Sequence, residues 1–322
     1  MSVSFSVGYA GRLDQLKRIL AVSASVRNVY TGGLSRRIAG GRPQYIESME
    51  ALREQVDFAH GRNVTFDVAL NAPVHVPAMQ DRAWWGDTIQ YLRDLEELRV
   101  DGVIVSHPFL IEATRANTRL KISVSTINET MTTRAALYYE AMGADIIVPS
   151  MNLNMNRAEL KRMSRALKRA RILIMLNERC LGDCPWRRFH FDWNAGKTTS
   201  IGYEADPYFT NCTKLMYEQP YLLLANNTIR PEDVRHYEEI TSDFKVLGRD
   251  ATIEDVELRL KAYTEGRFDG NFVRLVHSGL APALDIPNCA LDGLIEKKWD
   301  CSKICRDCGH CIRLAESVVT RR

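Results

Sequence analysis

The first 179 residues of this 322-residue chain contain no cysteine. Other features are missing too, and each absence removes a class of protein. No apolar run approaches the roughly 20 residues that a bilayer-spanning helix needs. The opening "MSVSFSVGYAGRLDQ" has neither the basic start nor the apolar core of a signal peptide, so the expected location is cytoplasmic. No G-x-G-x-x-G turn follows the first apolar run, which counts against a dinucleotide-binding fold. The formal net charge of +3 offers no evident basic stripe, making nucleic acid a less favoured partner and giving no case for an anionic membrane. There is no internal repeat and no low-complexity segment. Apolar content of 45% and charged content of 26% are ordinary for a globular protein, and the length suits one large domain or two smaller ones.

What is present begins with the cysteines, all crowded into the second half: Cys180, Cys184, Cys212, Cys289, Cys301, Cys305, Cys308 and Cys311. Cytoplasmic thiols are kept reduced, so clustering there points to metal and away from disulfides. Cys180 and Cys184 have C-x3-C spacing, which is weak evidence by itself. The tail reads C-x3-C-x2-C-x2-C from Cys301 to Cys311, dense enough to wrap one metal centre. Spacing alone leaves zinc and iron–sulfur level at that tail set.

Eight short β-branched runs give the fold. They are "VSFSVGYA", "VRNVYTGG", "VTFDVALN", "DGVIVSH", "KISVSTI", "ADIIVPS", "RILIMLNE" and "DFKVLGR". Amphipathic stretches such as "YIESMEALREQVDFAHGRN" and "TTRAALYYEAMG" separate them. Near-continuous apolar strands alternating with helices indicate a parallel sheet. Eight of them indicate an α/β fold of the (β/α)8 TIM-barrel type. The barrel is expected over residues 1–265, ending with the helix "TIEDVELRLKAYTEG", and a cysteine-rich extension over 266–322 is expected near its mouth. About 65 residues separate the seventh and eighth runs, far more than a crossover needs. That insertion, at about 177–230, opens at the strand end where barrel enzymes build their sites and carries Cys180, Cys184 and Cys212. The pair Trp84 and Trp85 is expected in a loop.

Asn177 and Glu178 end the seventh strand, and Arg187, Arg188 and His190 follow Cys184. Glu178 and His190 are candidate catalytic groups. Arg187, Arg188, Arg249 and Asn177 are candidate substrate-binding groups, since a guanidinium grips a carboxylate through two parallel hydrogen bonds. For Arg187 and Arg188 an exposed basic turn is an equally good reading, and for His190 a hydrogen bond to backbone. Lys245 shares the eighth strand with Arg249. Asn71, His107, Asn128 and Ser150 also end strands, where structural support is the simpler role.

The order of "GYAGRLDQLKRIL", "VYTGG", "EALREQVDFAHGRNVTFDVALN", "ISVSTINETMTTRAALYYEAMGADIIVPSMNLNMNRAEL" and "DFKVLGR" resembles the collagenase-like peptidase family U32. Asn177, Cys180, Cys184, Pro185, Arg187 and His190 match the N-x-x-C-x-x-x-C-P-x-R-x-x-H pattern of its short single-barrel type. The resemblance implies a barrel holding an oxygen-sensitive [4Fe–4S] cluster. It implies oxygen-independent hydroxylation of an aromatic, quinone-precursor or nucleobase substrate under anaerobic conditions, with prephenate as hydroxyl donor. It also implies a heteromeric partner of the same family, so a non-catalytic iron–sulfur subunit for a second barrel protein is the alternative reading. Cys180, Cys184 and Cys212 form the expected ligand core. Cys289 is the expected fourth ligand, with a tail cysteine as the other choice, and Cys301, Cys305, Cys308 and Cys311 would hold a second [4Fe–4S] cluster or zinc. The spacing of the first pair departs from better-known members. A peptidase reading finds neither a G-x-S-x-G elbow nor an H-E-x-x-H helix in the chain.

Overall fold

The structure is a computed structural model that describes residues 3–34, 41, 46–73, 78–196 and 206–322. The expected eight strands are there, in order: Ser4–Gly8, Val26–Gly32, Thr65–Leu70, Gly102–Val105, Lys121–Val124, Ile146–Ile147, Arg171–Met175 interrupted at Leu173, and Asp243–Val246. All neighbouring pairs are parallel. The first half of the seventh strand pairs with the sixth, and its second half with the eighth. The eighth pairs with the first, Phe5 opposite Phe244 and Ser6 opposite Lys245, so the sheet closes into a (β/α)8 barrel.

Helices form where local signals and an apolar face agree. Ser48 Oγ accepts from Ala51 N at the start of Met49–His60, and Thr252 Oγ1 accepts from Asp255 N at the start of Ile253–Glu265. Gly143, at φ 111°, ends Thr133–Met142 in the left-handed region that glycine adopts without strain. Trp84 and Trp85 lie on a helix, Arg82–Glu97, and not in the loop the sequence led one to expect. Asp81 caps that helix, and Trp84, Thr88, Leu92 and Leu95 form its buried stripe at helical spacing.

Strand parity separates two environments. Phe5, Val7, Val29, Phe66, Val68, Val103, Ile122, Val124, Phe244 and Val246 face the helices and form the main core. The alternate set, including Ser6, Asn28, Tyr30, Asp67, Ser123 and Lys245, faces the barrel axis. Barrel interiors are ordinarily filled by branched apolar side chains; this one mixes such polar groups with Ala69, Ile104, Ile146 and Leu173.

After Ile253–Glu265 the chain builds a second apolar cluster from Leu275, Leu280, Leu284, Ile286 and Leu291, joined by Leu181, Met216, Leu223 and Leu224 of the insertion. The terminal strand Thr320–Arg321 pairs antiparallel with Leu284–Asp285, and helix His310–Val318 packs on Tyr221–Ala225. The extension is thereby fastened to the insertion. Among the described residues no helix is long and apolar enough to cross a membrane.

Candidate functional site

The mouth is shaped where the seventh and eighth strands outrun their ladder. Asn177 continues the pairing with its side chain: Oδ1 accepts from Leu247 N at 2.9 Å, and Nδ2 donates to Leu247 O at 3.4 Å. The amide expected to touch substrate is thus spent on holding the two strand ends together. Next comes Gly248, where a Cβ would stand 2.5 Å from Gly8 O, so only glycine allows this approach. The close approach sets Arg249, itself buried, at the rim of a cavity of about 60 Å³. Tyr30, Asn71, Ser125, Met175, Glu178 and Phe191 contribute to the walls.

Glu178 and Arg187 form a buried ion pair beside this cavity. Arg187 Nη1 donates to Glu178 Oε2 at 3.0 Å, and Arg187 Nε lies 3.1 Å from Glu129 Oε1. Burial opposes the Arg187 charge, but Glu178, the Cys180 sulfur and Glu129 outweigh it and hold the guanidinium above its ordinary pKa. Cys180 Sγ donates to the other Glu178 oxygen at 3.2 Å. Arg187 Nη2 is buried and has no hydrogen-bond partner among the described residues. Arg187 is therefore the hub of an acidic and thiol cluster, and not the exposed basic turn that was the bland alternative. Arg188, in contrast, is exposed on the neighbouring rim, lining a separate cleft with His107, Asn128 and Tyr139.

Cys184 and Cys212 are half-buried on the second apolar cluster. Burial pushes the Cys212 thiol up, and the nearby Cys184 adds to that rise. His190 braces this arrangement: its Nε2 is 3.0 Å from Asp206 Oδ2, and its ring stacks on Tyr208 with centroids 5.7 Å apart. Asp206 also caps Pro207–Glu218, the helix that carries Cys212. His190 accordingly positions the Cys212 helix against helix Arg187–Gly196, which follows Cys184, and does not line the mouth cavity.

The tail cysteines lie together, since Cys301, Cys305 and Cys308 each push the Cys311 thiol up, after burial, while Lys298 opposes. Lys298 donates to Asn226 O, and Lys303 Nζ pairs with Asp183 Oδ2 at 2.7 Å, bringing the tail set against the loop between Cys180 and Cys184. Cys289 stands apart. Its exposed turn, Asn288–Leu291, is held by Arg230 and Glu232, which line a cleft with Val3, Phe5 and Ser25 at the opposite, N-terminal end of the barrel. The structure does not bring it to Cys180, Cys184 and Cys212, so the tail offers the nearer thiols for a fourth ligand.

The thiols, the cationic Arg187 and its orphaned buried Nη2 suit the donor chemistry of an iron–sulfur cluster, whose sulfurs accept such hydrogen bonds. Among the described residues no three His, Cys, Asp or Glu side chains converge on single-ion geometry. The sequence reading had assigned no role to Lys245 and Tyr30, which line the cavity, or to Asp67, which lines a separate cleft and whose charge acts on Lys245. The signal was there: a lysine between Phe244 and Val246 at an inward position of an apolar strand.

Residues 11–174 match the model of peptidase family U32. The chain is 28% identical over 330 residues to an uncharacterized protease of Methanocaldococcus jannaschii, covering 98% of each. The U32 peptidase Mk0906 superposes with a TM-score of 0.59 at 19% identity, over 78% of this chain and 94% of that one, which is a likeness of fold. The chain belongs to peptidase family U32.

Proposed function

We propose that the protein is an iron–sulfur enzyme of oxygen-independent hydroxylase type, acting on an aromatic, quinone-precursor or nucleobase substrate at the barrel mouth. The observation that carries this reading is the buried Glu178–Arg187 pair, with Cys180 on one side and the mouth cavity next to it. Cys180, Cys184 and Cys212 would hold the cluster with a tail cysteine, which departs from the Cys289 expectation. The remaining tail thiols would then serve a second metal, zinc or iron–sulfur. A bound cluster supplies one-electron chemistry without oxygen. This chain's own residues bind and shield: Arg249 meets an anionic group of a donor such as prephenate, Phe191 covers the cavity, and Arg187 balances thiolate charge.

Peptide hydrolysis, the activity in the names of the relatives, has little support here, because the sequence carries neither a G-x-S-x-G elbow nor an H-E-x-x-H helix. Anaerobic purification is the test. A brown protein with iron and sulfide, losing both on Cys180→Ala, is the expected outcome. A colourless protein with stoichiometric zinc alone would overturn the reading. Deleting the gene under anaerobic growth should alter the quinone or modified-nucleoside pool. If neither pool changes and a second U32 chain co-purifies, the protein is instead the non-catalytic partner subunit.

A further inference from the structure

Lys245 is an unusual lysine. Its neighbours Phe244 and Val246 face the helices, so strand alternation sends it toward the barrel axis, where it is 6% exposed. Its Nζ stands 3.8 Å from the centroid of the Tyr30 ring and, among the described residues, makes no hydrogen bond or ion pair. Buried lysines in a purely structural role are paired. This amine lines the small mouth cavity instead, together with Arg249, whose guanidinium carbon is 5.7 Å from the same ring centroid. The two nitrogenous groups thus lie over the same ring and line the same cavity. An amine held over an aromatic ring with no hydrogen bond can add to a carbonyl carbon once it loses its proton, and a guanidinium beside it selects a carboxylate.

We propose that Lys245 is a nucleophile that holds a small 2-oxo acid at the barrel mouth as an imine, with Arg249 gripping the carboxylate. The Nζ lone pair adds to the keto carbon. The keto oxygen then leaves as water with the two amine hydrogens, and a C=N bond replaces the C=O bond. No electron is gained or lost, so the step needs no oxidant, reductant or cofactor. It shares Arg249 and the mouth cavity with the donor site proposed above, but the imine needs no cluster, so adduct formation and iron content can fail separately.

The environment favours the free base that this addition requires. Burial, then Arg249, lower the Lys245 pKa against the opposing charge of Asp67, to about 7 in all. The titratable groups facing the amine are Tyr30 from the second strand, Asp67 from the third, Glu178 beyond the seventh and Arg249 beyond the eighth. Asp67, raised to about 6 by burial, is still mostly ionised at neutral pH, so its charge opposes loss of the Lys245 proton. Ile104, Met175 and Phe191 contribute apolar wall to the cavity.

Full-length protein, purified without oxygen, is treated with pyruvate and sodium cyanoborohydride, and the reduced adduct is located by peptide mass mapping. The expected result is one adduct per chain, on Lys245, half-maximal near neutral pH. Lys245→Arg, which keeps the charge, should abolish it, and Arg249→Met should lower its yield at limiting pyruvate by about tenfold. Label spread over exposed lysines without Lys245, or a Lys245 label that follows their alkaline pH dependence, overturns the proposal. So does labelling by acetone as fast as by pyruvate, since acetone lacks the carboxylate. Mapping on the unaltered protein decides the question even if a variant fails to fold.

Discussion

Asp183 and Lys303 pair at 2.7 Å, and both hold left-handed backbone, at φ 49° and φ 63°. One lies between Cys180 and Cys184, the other between Cys301 and Cys305, so two strained turns meet and bring two cysteine sets side by side. Left-handed φ costs a non-glycine residue roughly 1 kcal/mol or more, and an exposed ion pair returns about 0–1 kcal/mol. Lys303→Gly should therefore leave the urea midpoint nearly unchanged, the relaxed backbone offsetting the lost pair. Lys303→Ala keeps the strain and loses the pair, so it should fall below Lys303→Gly by about 1 kcal/mol. If the alanine variant is the more stable one, the turn is not strained.

The buried pair at the mouth behaves differently. Arg187→Met strands Glu178 without its partner and should cost about 3–5 kcal/mol in chemical denaturation, whereas Arg187→Met with Glu178→Leu should recover most of that loss. The sequence reading made Arg187 a candidate substrate clamp, with an exposed basic turn as the equal alternative. A single variant as stable as the parent would restore that role.

Metal content should follow the geometry of the thiols. Cys180→Ala, Cys184→Ala and Cys212→Ala should each remove the iron at the mouth, while Cys289→Ala should leave metal and spectrum intact, because its turn is anchored at the other end of the barrel. Elemental analysis of the four variants side by side checks this. Iron loss in Cys289→Ala would return that residue to the ligand set.

His277 gives a pH dependence. Burial, then Arg179, lowers its pKa to about 4, against about 6.5 for an unfolded histidine. Below pH 6.5 the unfolded chain takes up a proton that the folded chain refuses. The stability is therefore complete above pH 6.5 and lost as pH falls from there to about 4, amounting to at most about 3 kcal/mol. His277→Phe, in the place where the ring stacks on Phe209 and faces Thr213, should flatten that part of the pH profile in urea titrations.

The sequence by itself determined the barrel. Eight apolar runs with turn and cap signals between them leave few other ways to bury both faces of a parallel sheet, and each run became the strand it announced. It also marked the insertion after the seventh strand and the unusual gathering of thiols. Tertiary structure decided which of those side chains meet. Whether Cys289 or the tail faces the mouth depends on how residues 266–322 run back along the barrel, and no spacing rule encodes that path. Arg187 and Arg188 are neighbours of identical chemistry, yet the turn of one helix sends the first into the buried cluster and the second to solvent. Lys245 shows the same division: the alternation of "DFKV" points it inward, but only closure of the barrel puts Tyr30 and Arg249 beside its amine. Periodicity follows from local backbone geometry; a site depends on long-range contacts that only the folded chain makes.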